Sequence, residues 1–112
     1  MYQLELYARP NGSCPYNEYV NMVFRSGAKR EAARIRATVE RLMKDGSEGL
    51  TKQGLAEKMN DVWQLRIGAH RVFYFWHTDA RQYVILNGFR KQSRKTPPAE
   101  LQRAEDLSLI HI

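Results

Sequence analysis

Two apolar runs separated by only two residues constrain the fold more than any other part of the sequence. Residues 61–67 read DVWQLRI and residues 70–77 read HRVFYFWH, and both runs are rich in aromatic and β-branched residues. Between them, Gly68-Ala69 places glycine first, which is typical of a type II′ turn in a β-hairpin. The sequence therefore predicts two antiparallel strands joined by a tight turn.

This turn also predicts which residues face each other across the hairpin. The register pairs Ile67 with His70, Arg66 with Arg71, Leu65 with Val72 and Trp63 with Tyr74. Alternate residues of a strand point to opposite faces, so one face is apolar and is predicted to pack on helices. Arg66 and Arg71 are predicted to point together from the other face.

The other elements follow from hydrophobic periodicity. An alternating strand is predicted at residues 2–8, and amphipathic helices are predicted at about 14–27 and 29–44. Residues 47–60 have weak periodicity and are predicted to be a loop that contains one helical turn. The continuous apolar run at 82–89 predicts a strand that is buried on both faces.

A short helix at 99–107 completes the order β-α-α-β-β-β-α. This order predicts an α+β fold: a small, mostly antiparallel sheet with the two N-terminal helices on one face.

The length of 112 residues predicts a single domain, placed at residues 1–106. Residues 107–112 read LSLIHI, which is also the translation of a transposase-end adapter of sequencing libraries, and they are predicted to be a non-native tail.

Charge and cysteine content limit the classes of function. Lys plus Arg number 18 and Asp plus Glu number 12, a net charge of +6, so polyanions and above all nucleic acids are the expected partners. The single cysteine, Cys14, excludes an internal disulfide and fits a cytoplasmic protein. No apolar run approaches the roughly 20 residues of a membrane span. No metal-ligand spacing or glycine-rich phosphate loop is present, so no cofactor is expected.

The Arg66–Arg71 pair is the sharpest candidate for a functional site. Like charges directly opposite each other in a sheet are destabilising, so two guanidinium groups there favour an anion between them. In the functional interpretation they clamp a phosphate and stabilise its developing charge. In the structural interpretation each pairs with a surface carboxylate or with solvent. The residues alone leave both interpretations open.

Further basic residues follow the last strand, namely Arg90, Lys91, Arg94 and Lys95. No acidic residue occurs between Ala80 and Ala99, so this run is either a solvated face or a site for a nucleic-acid backbone. Phe73 falls on a core periodicity, with base stacking as the alternative. His70 and His77 are expected to be structural.

Four stretches, taken in order, resemble the RelE/ParE superfamily of bacterial type II toxins, in particular its HigB-type, phage-associated branch. They are VWQLRI (62–67), HRVFYFW (70–76), VILNGFRKQSRKTP (84–97) and AELQRAEDL (99–107). The family carries runs of the type glyElR, yRvfYf and lhgFxKKtqktPxxEielA in the corresponding places. The strand-helix-helix start agrees with the RelE-like fold that the resemblance implies.

The resemblance implies a ribosome-dependent, metal-independent endoribonuclease that cleaves mRNA through attack of a 2′-OH group. Arg66, Arg71 and Lys91 take the places of basic residues implicated in cleavage, and RNA binding is expected of Arg90, Arg94, Lys95, Gln64 and Phe73. The expected partners are a cognate helix-turn-helix antitoxin, mRNA, and the ribosome with its 16S rRNA and A site. DNA is expected to be reached only through the antitoxin, and no membrane is involved.

The sequence departs from the family at two places. Gln64 stands where the branch usually has glutamate, and Asn87 stands where it usually has histidine, so no general base is identified. Two other functions therefore remain open: a non-catalytic toxin of the same fold that inhibits a protein such as gyrase, and an inactive nucleic-acid-binding relic. The basic residues after the last strand argue against the gyrase-directed toxins, which generally lack them.

Overall fold

A computed structural model of the chain describes residues 1–92 and 97–110. The elements in chain order are β1 (Gln3–Leu6), α1 (Pro15–Arg25), α2 (Lys29–Lys52), β2 (Ala56–Met59), β3 (Val62–Ile67), β4 (His70–His77), β5 (Gln82–Arg90) and α3 (Pro98–Ile110). One five-stranded sheet has the order β1-β5-β4-β3-β2. The β1–β5 pair is parallel and the other three pairs are antiparallel. The α+β class and the mostly antiparallel sheet are confirmed.

The β3–β4 hairpin forms in the predicted register. The pairs are Ile67 with His70, Arg66 with Arg71, Leu65 with Val72 and Trp63 with Tyr74. Gly68 has a φ of 60°, whereas Ala69 does not have a positive φ, which is the combination that defines a type II′ turn. Glycine adopts this conformation without the steric penalty of a Cβ atom, so it sets the register of the whole hairpin.

Two hydrophobic clusters lie on opposite faces of the sheet. Helices α1 and α2 cover one face, as predicted, and bury residues that include Val20, Ile35, Leu42, Leu65, Val72 and Tyr74. Helix α3 covers the other face, over a cluster formed by Val62, Phe73, Phe75, Val84, Leu86, Phe89 and Ala104. The sheet is therefore buried on both sides, and five consecutive residues of β5, 83–87, are buried as predicted for that strand.

The prediction of a loop with one helical turn at residues 47–60 is only partly right, because the segment contains more helix and also a strand. Gly46, with φ 74° and ψ 170°, interrupts α2 near the predicted end of the helix, but the helix resumes and continues to Lys52. The edge strand β2 then pairs with β3. Its sequence, AEKM, is short and half polar, and its pairing to β3 rather than its own periodicity makes it a strand.

Helix α3 also extends beyond the predicted 99–107, because it continues to Ile110. Ser108 is buried, and its hydroxyl donates a hydrogen bond to the carbonyl oxygen of Glu105 at 2.8 Å. The predicted tail at residues 107–112 therefore begins inside a helix. The assignment of that segment as non-native stays a prediction.

Candidate functional site

Cationic residues from three strands and the chain after them meet beside the β3–β4 turn. Arg66 and Arg71 are direct cross-strand neighbours, and Arg90 pairs with His70, the first residue after the turn. The backbone N–H of Lys91 donates to the carbonyl oxygen of Ala69, inside the turn, at 2.7 Å. Four of the six predicted basic site residues thus lie near this turn, but not on one face. Arg66 and Arg71 share one face of the sheet, whereas Arg90 shares the face of His70, and its Nη1 lies 4.0 Å from Oε1 of Glu31 on α2. The other two, Arg94 and Lys95, lie outside the described residues.

The two arginines share a face of the sheet, but their surroundings differ. Arg66 is exposed, whereas Arg71 is only 6% exposed. The Nη1 atom of Arg71 donates to the carbonyl oxygens of Gly68 at 2.6 Å and of His70 at 2.9 Å. The two side chains share a face, as predicted, but Arg71 is buried against the backbone of the turn, whereas Arg66 is exposed beside it.

Arg71 is a buried charge with incomplete compensation. Its Nε atom has no hydrogen-bond partner, and no carboxylate within residues 1–92 and 97–110 forms a salt bridge with it. Burial lowers the pKa of Arg71, the charge of Arg66 lowers it further, and the charge of Glu57 raises it. Since the ordinary pKa of arginine lies far above neutrality, the guanidinium remains protonated at neutral pH.

Gln64 and Phe73 lie on the same face, but both are buried. Gln64 is 1% exposed and Phe73 is fully buried, with the Phe73 ring 5.2 Å from the ring of Phe89. Neither side chain is exposed to an RNA in this structure, and their predicted RNA contacts stay predictions. The sequence pattern shows that they share the face of Arg71, but it does not show that a helix covers that face.

A second buried polar atom without a partner lies near Arg71. Asn87 on β5 is 6% exposed; its Nδ2 donates to Oε2 of Glu100 on α3 at 3.3 Å, whereas its Oδ1 has no partner in the described part of the chain. Asn87 pairs with Phe73, two residues along from the pairing of Arg71 with Phe89. An unsatisfied donor and an unsatisfied acceptor thus lie on one face of adjacent strands, which is uncommon unless a site uses them.

The comparison with protein families agrees with this geometry. Residues 23–108 match the family described as phage-derived protein Gp49-like (DUF891). The chain belongs to this family. Gp49-like proteins are part of the toxin–antitoxin superfamily of RelE/HigB-like proteins, and this membership implies an antitoxin as a partner. Among curated proteins, none matches the chain.

The described residues of the candidate site, from Glu57 to Lys91, fall within the segment that matches the family. Glu57 is a further residue of this site that the sequence analysis missed. Glu57 pairs with Gln64 across β2 and β3, and its charge acts on Arg71. Glu57 is exposed. The sequence analysis places residues 56–59 in a loop, whereas pairing of a fifth strand to β3 places this carboxylate on the arginine face.

The two histidines have structural contacts, in agreement with the prediction for them. His70 is 3% exposed and lies on the α1/α2 face, hydrogen-bonded to Tyr19 and Glu31. The Nδ1 atom of His77 accepts a hydrogen bond from the backbone N–H of Ala80 at 3.0 Å.

The described residues contain no cluster of three or more metal-ligating side chains. No helix among them is long and apolar enough to cross a membrane.

Proposed function

We propose that this Gp49-like chain is the toxin of a type II toxin–antitoxin pair and that it cleaves mRNA on the ribosome without a metal ion. The observation that carries the proposal is the buried guanidinium of Arg71, which is held by two main-chain carbonyls and has no carboxylate partner among the described residues. A buried charge without an ion pair costs stability. Its presence beside exposed Arg66 favours a function that needs a fixed positive charge.

RNA cleavage fits this arrangement of charges. The 2′-OH of a nucleotide attacks the adjacent phosphorus, the bond from phosphorus to the 5′ oxygen breaks, and negative charge develops on the phosphoryl oxygens. Arg66 is exposed and can contact the phosphate directly, while Arg71 supplies a preorganised charge beneath it. Lys91 extends the positive surface beside the turn, while exposed Arg90 lies at the edge of the sheet near Glu31 and can contact a more distant phosphate. The ribosome aligns the mRNA for in-line attack.

Glu57 is the side chain that we assign as the acceptor of the 2′-OH proton. Arginine does not deprotonate in proteins, so neither Arg66 nor Arg71 can take this role. His70 lies on the opposite face of the sheet with both ring nitrogens hydrogen-bonded. Glu57 is exposed, lies on the arginine face, and is close enough to Arg71 for its charge to affect the pKa of that residue.

The antitoxin is proposed to carry an acidic segment and a helix-turn-helix domain. The cations at the β3–β4 turn and the net charge of +6 would attract carboxylates rapidly. A disordered acidic segment can wrap a small domain and order as it binds. Such a segment would compete with RNA for Arg66, Arg90 and Lys91.

The activity can be tested with purified protein, ribosomes and one defined mRNA. Primer extension should show new 5′ ends within translated codons, and Arg71→Ala should lower the cleavage rate by about 10²-fold or more. Glu57→Gln should also lower it, whereas Arg36→Gln, which removes an exposed cation from α2, serves as the matched control. Intact mRNA with the wild-type chain, or equal rates for wild type and Arg71→Ala, would overturn the proposal.

A further inference from the structure

A buried polar network joins both N-terminal helices to the turn that holds Arg71. The hydroxyl of Tyr19 on α1 lies 2.6 Å from Nδ1 of His70, and Nε2 of His70 lies 2.8 Å from Oε1 of Glu31 on α2. Nη1 of Arg90 on β5 lies 4.0 Å from the same carboxylate oxygen. Residues of α1 and α2 therefore both contact the imidazole ring of His70 on β4, and Arg90 of β5 lies beside the Glu31 carboxylate.

The direction of each hydrogen bond follows from the chemistry of the groups. The hydrogen bond from His70 is the main cause that lowers the pKa of Glu31, so this carboxylate is ionised at neutral pH and can only accept. Nε2 of His70 therefore carries a proton and donates it to Glu31. In the neutral ring, Nδ1 accepts from the Tyr19 hydroxyl, and both ring nitrogens are satisfied.

Gly88 on β5 allows Tyr19 to reach this position. A Cβ atom at residue 88 would lie 2.6 Å from Cδ2 of the Tyr19 ring, which is closer than side chains pack. The absence of a side chain therefore lets the Tyr19 ring lie directly against the backbone of β5. The hydroxyl then extends across to His70 on β4.

The network reaches Arg71 through the backbone of the turn. His70 precedes Arg71, and the carbonyl oxygens of His70 and Gly68 both accept from the Arg71 guanidinium. These are the only hydrogen bonds of the Arg71 guanidinium with the described residues. If His70 lost the hydrogen bonds of its imidazole, its backbone could rotate. This rotation would displace the His70 carbonyl oxygen and the adjoining turn, to which the Arg71 guanidinium is bound.

We propose that His70, held by Tyr19 and Glu31 on one face of the sheet, is a positioning residue that fixes the Arg71 guanidinium on the other face for cleavage. This inference rests on the proposed function. It assigns the two N-terminal helices a role in the reaction, although neither contributes a group to the arginine face. A small misplacement of a catalytic charge is sufficient to lower a rate substantially.

Tyr19→Phe is the most direct test, because it removes the hydroxyl and keeps the ring against Gly88. Single-turnover cleavage of ribosome-bound mRNA should slow by about 10- to 100-fold, with little change in the protein concentration for half-maximal rate. Tyr16→Phe is the matched control, since Tyr16 is also buried on α1 and belongs to the hydrophobic cluster. Glu31→Gln, which keeps an acceptor oxygen, should retain more activity than Glu31→Ala.

A double-mutant cycle separates positioning from a general loss of structure. If Tyr19 acts through Arg71, Tyr19→Phe should add little to the defect of Arg71→Ala. Additive defects, or wild-type cleavage by Tyr19→Phe while Arg71→Ala is impaired, would overturn the positioning role and leave the proposed function intact. Wild-type cleavage by Arg71→Ala would instead overturn the proposed site.

A second readout does not depend on cleavage. Exchange of the Arg71 Nε–H proton with water, followed by NMR in the uncomplexed chain, should be slow in the wild type because this group is buried. Tyr19→Phe should accelerate the exchange, and Tyr16→Phe should not. Equal exchange rates in the wild type and Tyr19→Phe would overturn the inference even if the chain cleaves no RNA.

Discussion

Arg66 and Arg71 lie directly opposite each other on β3 and β4, yet Arg66 is exposed while Arg71 is 6% exposed and bound to the carbonyl groups of its own turn. The charge of Arg66 lowers the pKa of Arg71, as burial does. The pair therefore consists of one cation that can meet a ligand and one that is held in place. This division of roles is the basis of the proposed phosphate site.

Arg66→Gln should raise the free energy of unfolding, because it removes like-charge repulsion of roughly 0.2–1 kcal/mol between directly opposed strand residues. Urea unfolding at low salt would measure the gain, which should shrink at high salt since screening weakens the repulsion. Arg36→Gln is the control for loss of a surface cation. A stability loss for Arg66→Gln would show that the pair is not repulsive in the folded chain.

The free energy of unfolding should depend on pH through Glu31. The hydrogen bond from His70 lowers the folded pKa of Glu31, so the ionised carboxylate stabilises the fold above the ordinary glutamate pKa of about 4.3. This contribution is lost as the pH falls through the lower folded pKa. Thermal unfolding between about pH 6 and pH 3 should therefore show a smaller loss for Glu31→Gln than for the wild type.

Glu40→Gln is the matched control for this pH series, because Glu40 is an exposed glutamate on the same helix. Its profile should follow the wild type. Identical profiles for Glu31→Gln and the wild type would contradict the assigned ionisation of Glu31.

Gly88→Ala should destabilise the fold by about 1–3 kcal/mol, the usual cost of overpacking, because the new Cβ would lie 2.6 Å from the Tyr19 ring. The same change in a Tyr19→Ala background should cost much less, since the obstructing ring is absent. Denaturant unfolding of the four variants in this cycle measures both costs. If Gly88→Ala lowered the free energy of unfolding equally in both backgrounds, its effect would not come from a clash with the Tyr19 ring.

The hairpin at the site could be predicted from sequence alone, whereas its burial could not. Gly68-Ala69 and the flanking apolar runs determine the turn type and every cross-strand pair. Arg71 is buried and bound to the carbonyl groups of Gly68 and His70, and no hydrophobic pattern in residues 61–77 predicts this arrangement. Helix α3 was predicted as an element, but not as the cover of the arginine face.

The missed carboxylate has a related explanation. Glu57 lies in β2, whose four residues have little strand propensity of their own and are ordered by pairing with β3. The network of Tyr19, His70 and Glu31 joins residues that are distant in the sequence. Hydrophobic periodicity assigned each of these residues to an element, but it cannot predict a contact between polar groups of different elements.

Association with the antitoxin should weaken as salt rises, because the proposed interface pairs its carboxylates with cations at the β3–β4 turn. Co-expression with the adjacent reading frame and isothermal titration at increasing salt would measure this dependence. Arg66→Gln should reduce both the affinity and its dependence on salt. Affinity that does not change with salt would contradict an electrostatic interface and would favour an apolar contact through the helices.

Mapping of transcript 5′ ends after induction in a bacterium tests the central claim most directly. The account predicts that the wild-type chain arrests growth and creates new 5′ ends confined to translated codons, and that Arg71→Ala at equal abundance creates far fewer. Intact mRNA accompanied by a loss of DNA supercoiling would contradict it, because that result is expected of a toxin that inhibits gyrase rather than of a ribosome-dependent nuclease.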